Sequence, residues 1–321
     1  MAQFTNLFNI DLSLAVWLVH DSYDFVPGEK AISATGLLKP IRQTILASRV
    51  PPESLTEDLS ERISMRLGHA IHDSIENAWE KGYARNLGLL GIPQQVIDRV
   101  QVNPKPEDLK PDSLPVYLET RGTRELNGWK VSGKLDMAVN GDLKDIKTTS
   151  VFTYIKGRKD EDYVLQGSIY KWLHQDKITG DNIDIQFVFT DWQRAMTKSI
   201  VGYPETRLVS YSLPLMGLQE TEDWIASRIE DLVTHFDAPQ EALPRCTDEE
   251  LWRSDPQWKY YADATKTDGK STKNFDNPAD ANKHRAEKGK GVVIMVPGKV
   301  KACSYCKAFS ICTQKDEYDH D

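Results

Sequence analysis

The sequence predicts an α/β domain, with a mixed central sheet flanked by helices, followed by a C-terminal subdomain organised by cysteines. Three observations carry this. Leu59, Ile63, Leu67, Ile71, Ile75 and Trp79 keep a four-residue spacing that makes one apolar helical stripe. Trp129 to Val139 alternates with period two and runs into Asn140-Gly141, a strong hairpin turn signal. Cys303, Cys306 and Cys312 lie close together, and Cys246 is the only other cysteine.

The elements follow in order. Residues 1–55 are mixed, with turn signals at Pro27-Gly28 and Pro51-Pro52. The first long helix is expected from Glu57 to Ala84. The proline-rich stretch 91–115 reads as loop with room for a short helix. In the following strand, Val131, Leu135, Met137 and Val139 are expected on one face, and Lys130, Ser132, Lys134 and Asp136 on the other. A second strand runs from Leu143 to Thr148 and a helix from Asp160 to Gln175. An apolar strand from Ile183 to Thr190, a strand near Arg207–Leu213 and a helix near Glu220–Phe236 complete the core. After Ala238 the composition shifts from aromatics (Trp252, Trp258, Tyr260, Tyr261) to a Lys-, Asp- and Asn-rich stretch, then Val292–Val296 and the cysteines. Residues 1–238 are therefore read as the main domain with an N-terminal helical region, and 239–321 as a separate cysteine subdomain.

Composition narrows the class of function. The chain's 321 residues suit one large or two small domains. Forty Lys and Arg against 48 Asp and Glu give a net charge of −8, which argues against coating nucleic acid by bulk charge but permits a local basic groove. Mean hydropathy is −0.51, and no apolar run approaches the ~18–20 residues of a membrane span. The N-terminus lacks a basic segment and meets Asp11 early, so no signal peptide is expected. The expectation is a cytoplasmic protein with no membrane partner.

Asp136 lies on the polar face of the first hairpin strand. Asp145 and Lys147, two apart, project from one face of the second. Two carboxylates and a backbone carbonyl, here that of Ile146, suit a hard ion such as Mg²⁺. A neighbouring lysine can orient or deprotonate an attacking water and offset phosphate charge, which suits phosphodiester hydrolysis. A bare D…DxK pattern is common by chance. Here it stands within a fixed order: Gly68-x3-His72, Gly133-x2-Asp136, Asp145-x-Lys147, Gln166-x3-Tyr170.

This order resembles the PD-(D/E)XK nuclease superfamily, in its RecB-like branch with the Cas4-type and phage exonucleases, over roughly residues 60–215. The resemblance implies a restriction-endonuclease-like core. It implies that Asp136, Asp145, His72 and the Ile146 carbonyl hold Mg²⁺ or Mn²⁺, that Lys147 is catalytic, and that Gln166 and Tyr170 organise the site and engage DNA. Leu135 stands where proline is common in this branch, and Asp145 where many members carry glutamate. His69, only partly on the His72 face, is expected to be structural. Glu76, one turn beyond His72, and Glu119, on a neighbouring strand, are each weighed equally as acids near the metal and as plain surface acids.

Cys303-x2-Cys306-x5-Cys312 brings three thiolates within reach of one soft metal centre, with Cys246 as a fourth ligand; zinc and an iron–sulfur cluster both fit four thiolates. The trio is similar to the [4Fe–4S] site of Cas4-type nucleases, which implies such a cluster as a structural staple, with Zn²⁺ the alternative. In those relatives the lone cysteine precedes the core, whereas Cys246 follows it. Lys156, Arg158 and Lys159, and nine Lys or Arg between residues 266 and 301, offer a phosphate path. Tyr154 and the tryptophans are candidates for stacking on bases, although most are expected in the core. The expected function is a metal-dependent DNA nuclease, an exonuclease on single-stranded or duplex ends, serving recombination, repair or phage DNA metabolism with a recombination or phage protein as partner. The alternatives are a structure-specific endonuclease and a non-cleaving nucleic-acid-binding module.

Overall fold

The computed structural model describes residues 3–21, 26–28, 30–156 and 159–318, with Lys156 described in its backbone only. In chain order the elements begin with β1 (Gln3–Thr5), α1 (Leu12–Val19), β2 (Ala31–Ser33), α2 (Ala34–Leu37), α3 (Ile41–Ser48), β3 (Thr56–Asp58) and α4 (Ile63–Leu89). Next come α5 (Gln94–Ile97), β4 (Val100–Val102), β5 (Leu114–Leu126), β6 (Trp129–Val139), β7 (Asp142–Thr149), α6 (Val151–Lys156) and α7 (Asp160–Leu173). The last are β8 (Asn182–Phe189), β9 (Leu208–Pro214), α8 (Leu218–His235), β10 (Gln257–Tyr261), β11 (Lys273–Phe275), α9 (Pro278–Lys288) and β12 (Val292–Val296). The chain divides into two units, Met1–Lys39 with Thr56–Val233, and Pro40–Leu55 with Thr234–Asp321.

The first unit is a mixed α/β structure. Its seven-stranded sheet runs β4-β5-β6-β7-β8-β9, with β2 also pairing with β6. β7 and β8 are parallel, whereas β5–β6, β6–β7 and β8–β9 are antiparallel. Along β5, Tyr117 joins one apolar cluster while Val116 and Leu118 join another, so the two clusters lie on opposite faces. Tyr163, Ile169 and Trp172 of α7 and Ile225 and Ile229 of α8 fill the first face. Ile75, Trp79, Tyr83 and Leu87 of α4 cover the second. Among the described residues, no helix is long and apolar enough to cross a membrane.

Three local expectations need correcting. The first long helix starts at Ile63 rather than Glu57 and continues to Leu89. Asp58 accounts for the late start. Its carboxylate accepts hydrogen bonds from Thr5 Oγ1, Leu7 N and Ser60 N, which fixes a short strand and a 3-10 turn where the helical stripe alone predicts helix. The stretch 91–115, read as loop, also contains β4. The third correction concerns the faces of β6. Val131 and Leu135 join the α7-side core, as expected, but Met137 packs on the α4 side and Ala138 on the α7 side. Strand alternation is broken at Asp136, and opposite it in the register Glu119 adopts φ +45°. A left-handed residue turns the ladder there, and a strand pattern read from composition cannot anticipate it.

The second unit holds a three-stranded antiparallel sheet in the order β11-β10-β12. Buried Tyr260 of β10 meets His284 of α9 edge-on at 4.9 Å between ring centroids. The Asn277 side chain caps the start of α9 through Asp280 N, and Gly289 closes it at φ +65°.

Candidate metal and active site

The hairpin carrying the predicted acids turns at Asn140-Gly141, whose φ values of +49° and +94° are those the Asn-Gly signal calls for. β6 and β7 pair only at Val139↔Asp142, Ala138↔Leu143 and Met137↔Lys144. The next step would set Asp136 opposite Asp145. There the strands part: β6 goes on beside β2, and β7 beside β8. Asp136 reaches across the opening, and its Oδ2 accepts the Ile146 N–H at 2.8 Å. A ladder hydrogen bond that the splay would leave unmade is thus supplied by a side chain.

α4 brings His72 to this opening on the same stripe as Ile75 and Trp79. His72 Nε2 lies 3.1 Å from the Ile146 carbonyl oxygen, and Nδ1 lies 3.4 Å from Glu119 Oε1 and 3.7 Å from Asp136 Oδ2. Ligand atoms of His72, Glu119 and Asp136 all lie within 4.8 Å of one another, the only such group of His, Cys, Asp or Glu among the described residues. Lys134 Nζ holds the second Glu119 oxygen at 2.5 Å. Asp145, on the opposite face of β7 from Ile146, turns toward Lys147, with Oδ2 2.6 Å from Nζ.

α7 supplies the rest. At Gly133 an added Cβ would stand 2.8 Å from Leu173 Cδ1 and 2.9 Å from Tyr170 Cε1, so the missing side chain is what lets α7 lie on β6. Gln166 Oε1 accepts from Lys147 Nζ at 3.3 Å, and Gln166 Nε2 donates to Tyr170 Oη at 2.8 Å and to Asp145 Oδ1 at 3.4 Å. His72, Asp136, Asp145, Ile146, Lys147, Gln166 and Tyr170 therefore form one connected network.

The charges of the site act on one another. Burial raises the Asp136 carboxyl and the neighbouring Asp145 raises it further, against His72 and Lys147, which lower it. Burial would lower His72, but the hydrogen bond to Glu119 and the charges of Asp136 and Glu119 outweigh it and hold the imidazole at about 9. Burial would also lower Lys147, and Asp145 and Asp136 outweigh it, so Lys147 is held as a cation.

The other sequence candidates fall elsewhere. His69 Nδ1 meets Arg66 Nη1 at 3.1 Å. Glu76 is half-buried, and burial and the charge of Glu119 raise its carboxyl. Tyr154 packs edge-on to Phe187 and Phe189 within the core. Arg158 lies outside the described residues, Lys159 is exposed ahead of α7, and all nine basic residues of 266–301 are exposed. Glu119 is the acid that sequence reasoning left undecided. The available signal was its place on the strand before the hairpin, and the missing one was its left-handed backbone.

In the second unit, Cys246, Cys303, Cys306 and Cys312 line one small cavity. The buried side chain of Gln314 ties two of the segments together, accepting from Cys246 N at 3.0 Å and donating to Cys246 O at 2.9 Å. Burial raises the Cys246 thiol to about 12, and it raises Cys303 as well.

No protein-family model and no curated protein matches the chain. Solved structures do. The protein SSO0001 is 17% identical, with 73% of this chain and 90% of that one covered and a TM-score of 0.44. A phage-related exonuclease from Haemophilus somnus 129PT is 16% identical, with 52% and 80% covered and a TM-score of 0.27. A candidate exonuclease from Eubacterium rectale is 11% identical, with 68% and 90% covered and a TM-score of 0.33.

Proposed function

We propose that this chain is a Mg²⁺- or Mn²⁺-dependent deoxyribonuclease acting as an exonuclease. One observation carries the reading: the close grouping of His72, Glu119 and Asp136, continuous through Ile146 with the Asp145–Lys147–Gln166–Tyr170 network. The motif order set out above supports it. The donor set fits a divalent ion: the two carboxylates suit Mg²⁺ or Mn²⁺, and the imidazole adds a nitrogen donor that Mn²⁺ accepts more readily. Burial first, and then the charge of Asp145, disfavour the ionised Asp136 carboxyl, and a divalent cation bound there would stabilise that ionised form.

Glu119, Asp136 and His72, the last through Nδ1 once the ion displaces its proton, would hold the ion, with Asp145 and the Ile146 carbonyl beside them. A bound ion there supplies Lewis acidity toward phosphate and a water of lowered pKa. The Ile146 carbonyl faces His72 Nε2, so it orients the imidazole. Lys147 lies against Asp145, and its ammonium offsets charge on the phosphate rather than serving as a base. Gln166 fixes the Lys147 ammonium, and Tyr170 fixes Gln166.

We assign a metal to the four cysteines as well. The donor set is four sulfurs, and neither carboxylate nor imidazole lines the cavity, which suits a soft centre. Four thiolates fit an iron–sulfur cluster or zinc, and the likeness of the C-terminal trio to the Cas4-type site favours the cluster, with zinc the alternative. The centre would join Cys246 to the C-terminal trio as a staple. The proposed setting is recombination, repair or phage DNA metabolism in the cytoplasm, with a recombination or phage protein as partner.

The test is to incubate wild type and Lys147→Ala with linear and closed circular DNA, with and without Mn²⁺. Metal-dependent degradation of linear DNA alone, slowed in Lys147→Ala with DNA binding retained, is the expected result. Cutting of circles makes it an endonuclease. Binding without cleavage of either substrate overturns the catalytic reading.

A further inference from the structure

Arg42 is one of the few buried charged residues of the molecule, 5% exposed, and it belongs to the second unit. It lies on the first turn of α3, more than two hundred residues before the cysteines in sequence, yet it lines their cavity. Its guanidinium is spread over several acceptors. Nε donates to Cys312 Sγ at 3.4 Å, and Nη1 donates to the Gln240 carbonyl at 3.0 Å and the Leu243 carbonyl at 3.4 Å. Nη2 donates to Gln240 Oε1 at 3.3 Å, and the same Oε1 accepts from Thr313 N, the residue after Cys312. The carbonyls and the amide are neutral, no carboxylate of the described residues lies within salt-bridge distance of Arg42, and Glu317, whose charge it feels, is exposed and paired with Arg245. A buried guanidinium without an ionic partner is costly. Thiolates bound to a metal supply negative charge at the atom Nε already faces.

We infer that Arg42 is a positioning residue of the cysteine centre, donating a charge-assisted hydrogen bond to metal-bound Cys312 and offsetting the centre's negative charge. This rests on the reading that the four cysteines bind a metal. Outer partners of metal ligands commonly govern affinity by ~10–100-fold. A fixed cation beside a cluster sulfur also favours the reduced, more negative state.

The experiment uses full-length, anaerobically purified wild type, Arg42→Gln, Arg42→Lys and Arg49→Gln. Arg49 is the control, because it sits at the end of the same helix and donates to the Phe236 and Ala238 carbonyls rather than to a cysteine. Iron, sulfide and zinc are measured per chain, then the rate of metal loss to EDTA and, for a cluster, its midpoint potential. Arg42→Gln should lose metal about tenfold or more faster and shift the potential downward. Arg42→Lys should fall between it and wild type, and Arg49→Gln should match wild type. If Arg42→Gln does not fold, Arg42→Lys decides: wild-type loss rate and potential overturn the inference. Equal shifts in Arg49→Gln and Arg42→Gln also overturn it, since they reflect general loosening. Wild type without metal overturns the underlying reading instead.

Discussion

The carboxylate site and the cysteine site make contrasting use of the chain. In the first, strands and a helix do the placing: a two-residue spacing sets Asp145 beside Lys147, the hairpin brings Asp136 to the point where β6 and β7 part and its carboxylate meets Ile146 N–H, and a helix turn sets Gln166 against Tyr170. In the second, loops and 3-10 turns do it, and Gln314 and Arg42 hold together segments distant in sequence. A site built on a hydrogen-bonded sheet keeps its shape without a metal. A site closed by loops has far less holding it, so its metal should contribute to folding.

The sharpest way to break this comparison is to remove one ligand from each site. Cys306→Ser should cost the second unit about 5 kcal/mol or more and strip its metal, because binding free energy at such a site is folding free energy. Thermal melts with metal analysis check this, and an unchanged Tm with unchanged metal would erase the contrast. Asp136→Asn should do the opposite. An asparagine still accepts from Ile146 N–H, so Tm should hold, while DNA hydrolysis should fall on the order of 10²–10³-fold or more, as when a transition-state partner is deleted. Cleavage assays beside melts decide between these outcomes.

Acid should test the sheet itself. Buried His174 follows α7 and crowds Gly122 of β5. Burial, aided by Lys177, lowers its imidazole from 6.5 to about 4. The unfolded chain takes up a proton below pH 6.5, which the folded one refuses until about pH 4. The associated stability is therefore complete above pH 6.5 and lost as pH falls toward 4, by about 3 kcal/mol. Denaturant melts across that window should show the slope, and His174→Asn should flatten it. The smallest effect expected is at Glu119. Glu119→Gln keeps the size of the side chain but removes one anionic ligand, so Mn²⁺ affinity should drop by roughly 10-fold with the Tm unchanged. A titration that matches wild type would place Glu119 outside the metal group.

Much of the frame was legible because it is local. The period of Trp129–Val139, the Asn-Gly turn and the apolar run of β8 each depend on neighbours a few residues away, and the structure places strands and turn there. The helix over Asp160–Leu173 and the pairing of Gln166 with Tyr170 follow from the 3.6-residue turn for the same reason. His72 rather than His69 facing the carboxylates also follows from helix geometry once Ile75 and Trp79 are known to face the sheet.

What the sequence by itself determined, then, is the strands β6, β7 and β8 and the helix α7 that carry or flank the site, with Asp145 beside Lys147 and Gln166 beside Tyr170, since hydrophobic periodicity and turn chemistry act over a few residues. What only the tertiary structure decided is where that regularity fails and which distant groups meet. Where β6 leaves β7 it pairs with β2 at Lys130–Ser132, from a distant part of the chain, while β7 keeps β8 on its other edge. Glu119 enters the metal group because its backbone turns left-handed opposite Asp136. Arg42 reaches Cys312 because Pro40–Leu55 folds with the C-terminal unit rather than with the residues on either side of it. Each is a contest among long-range contacts, and no local pattern records its outcome.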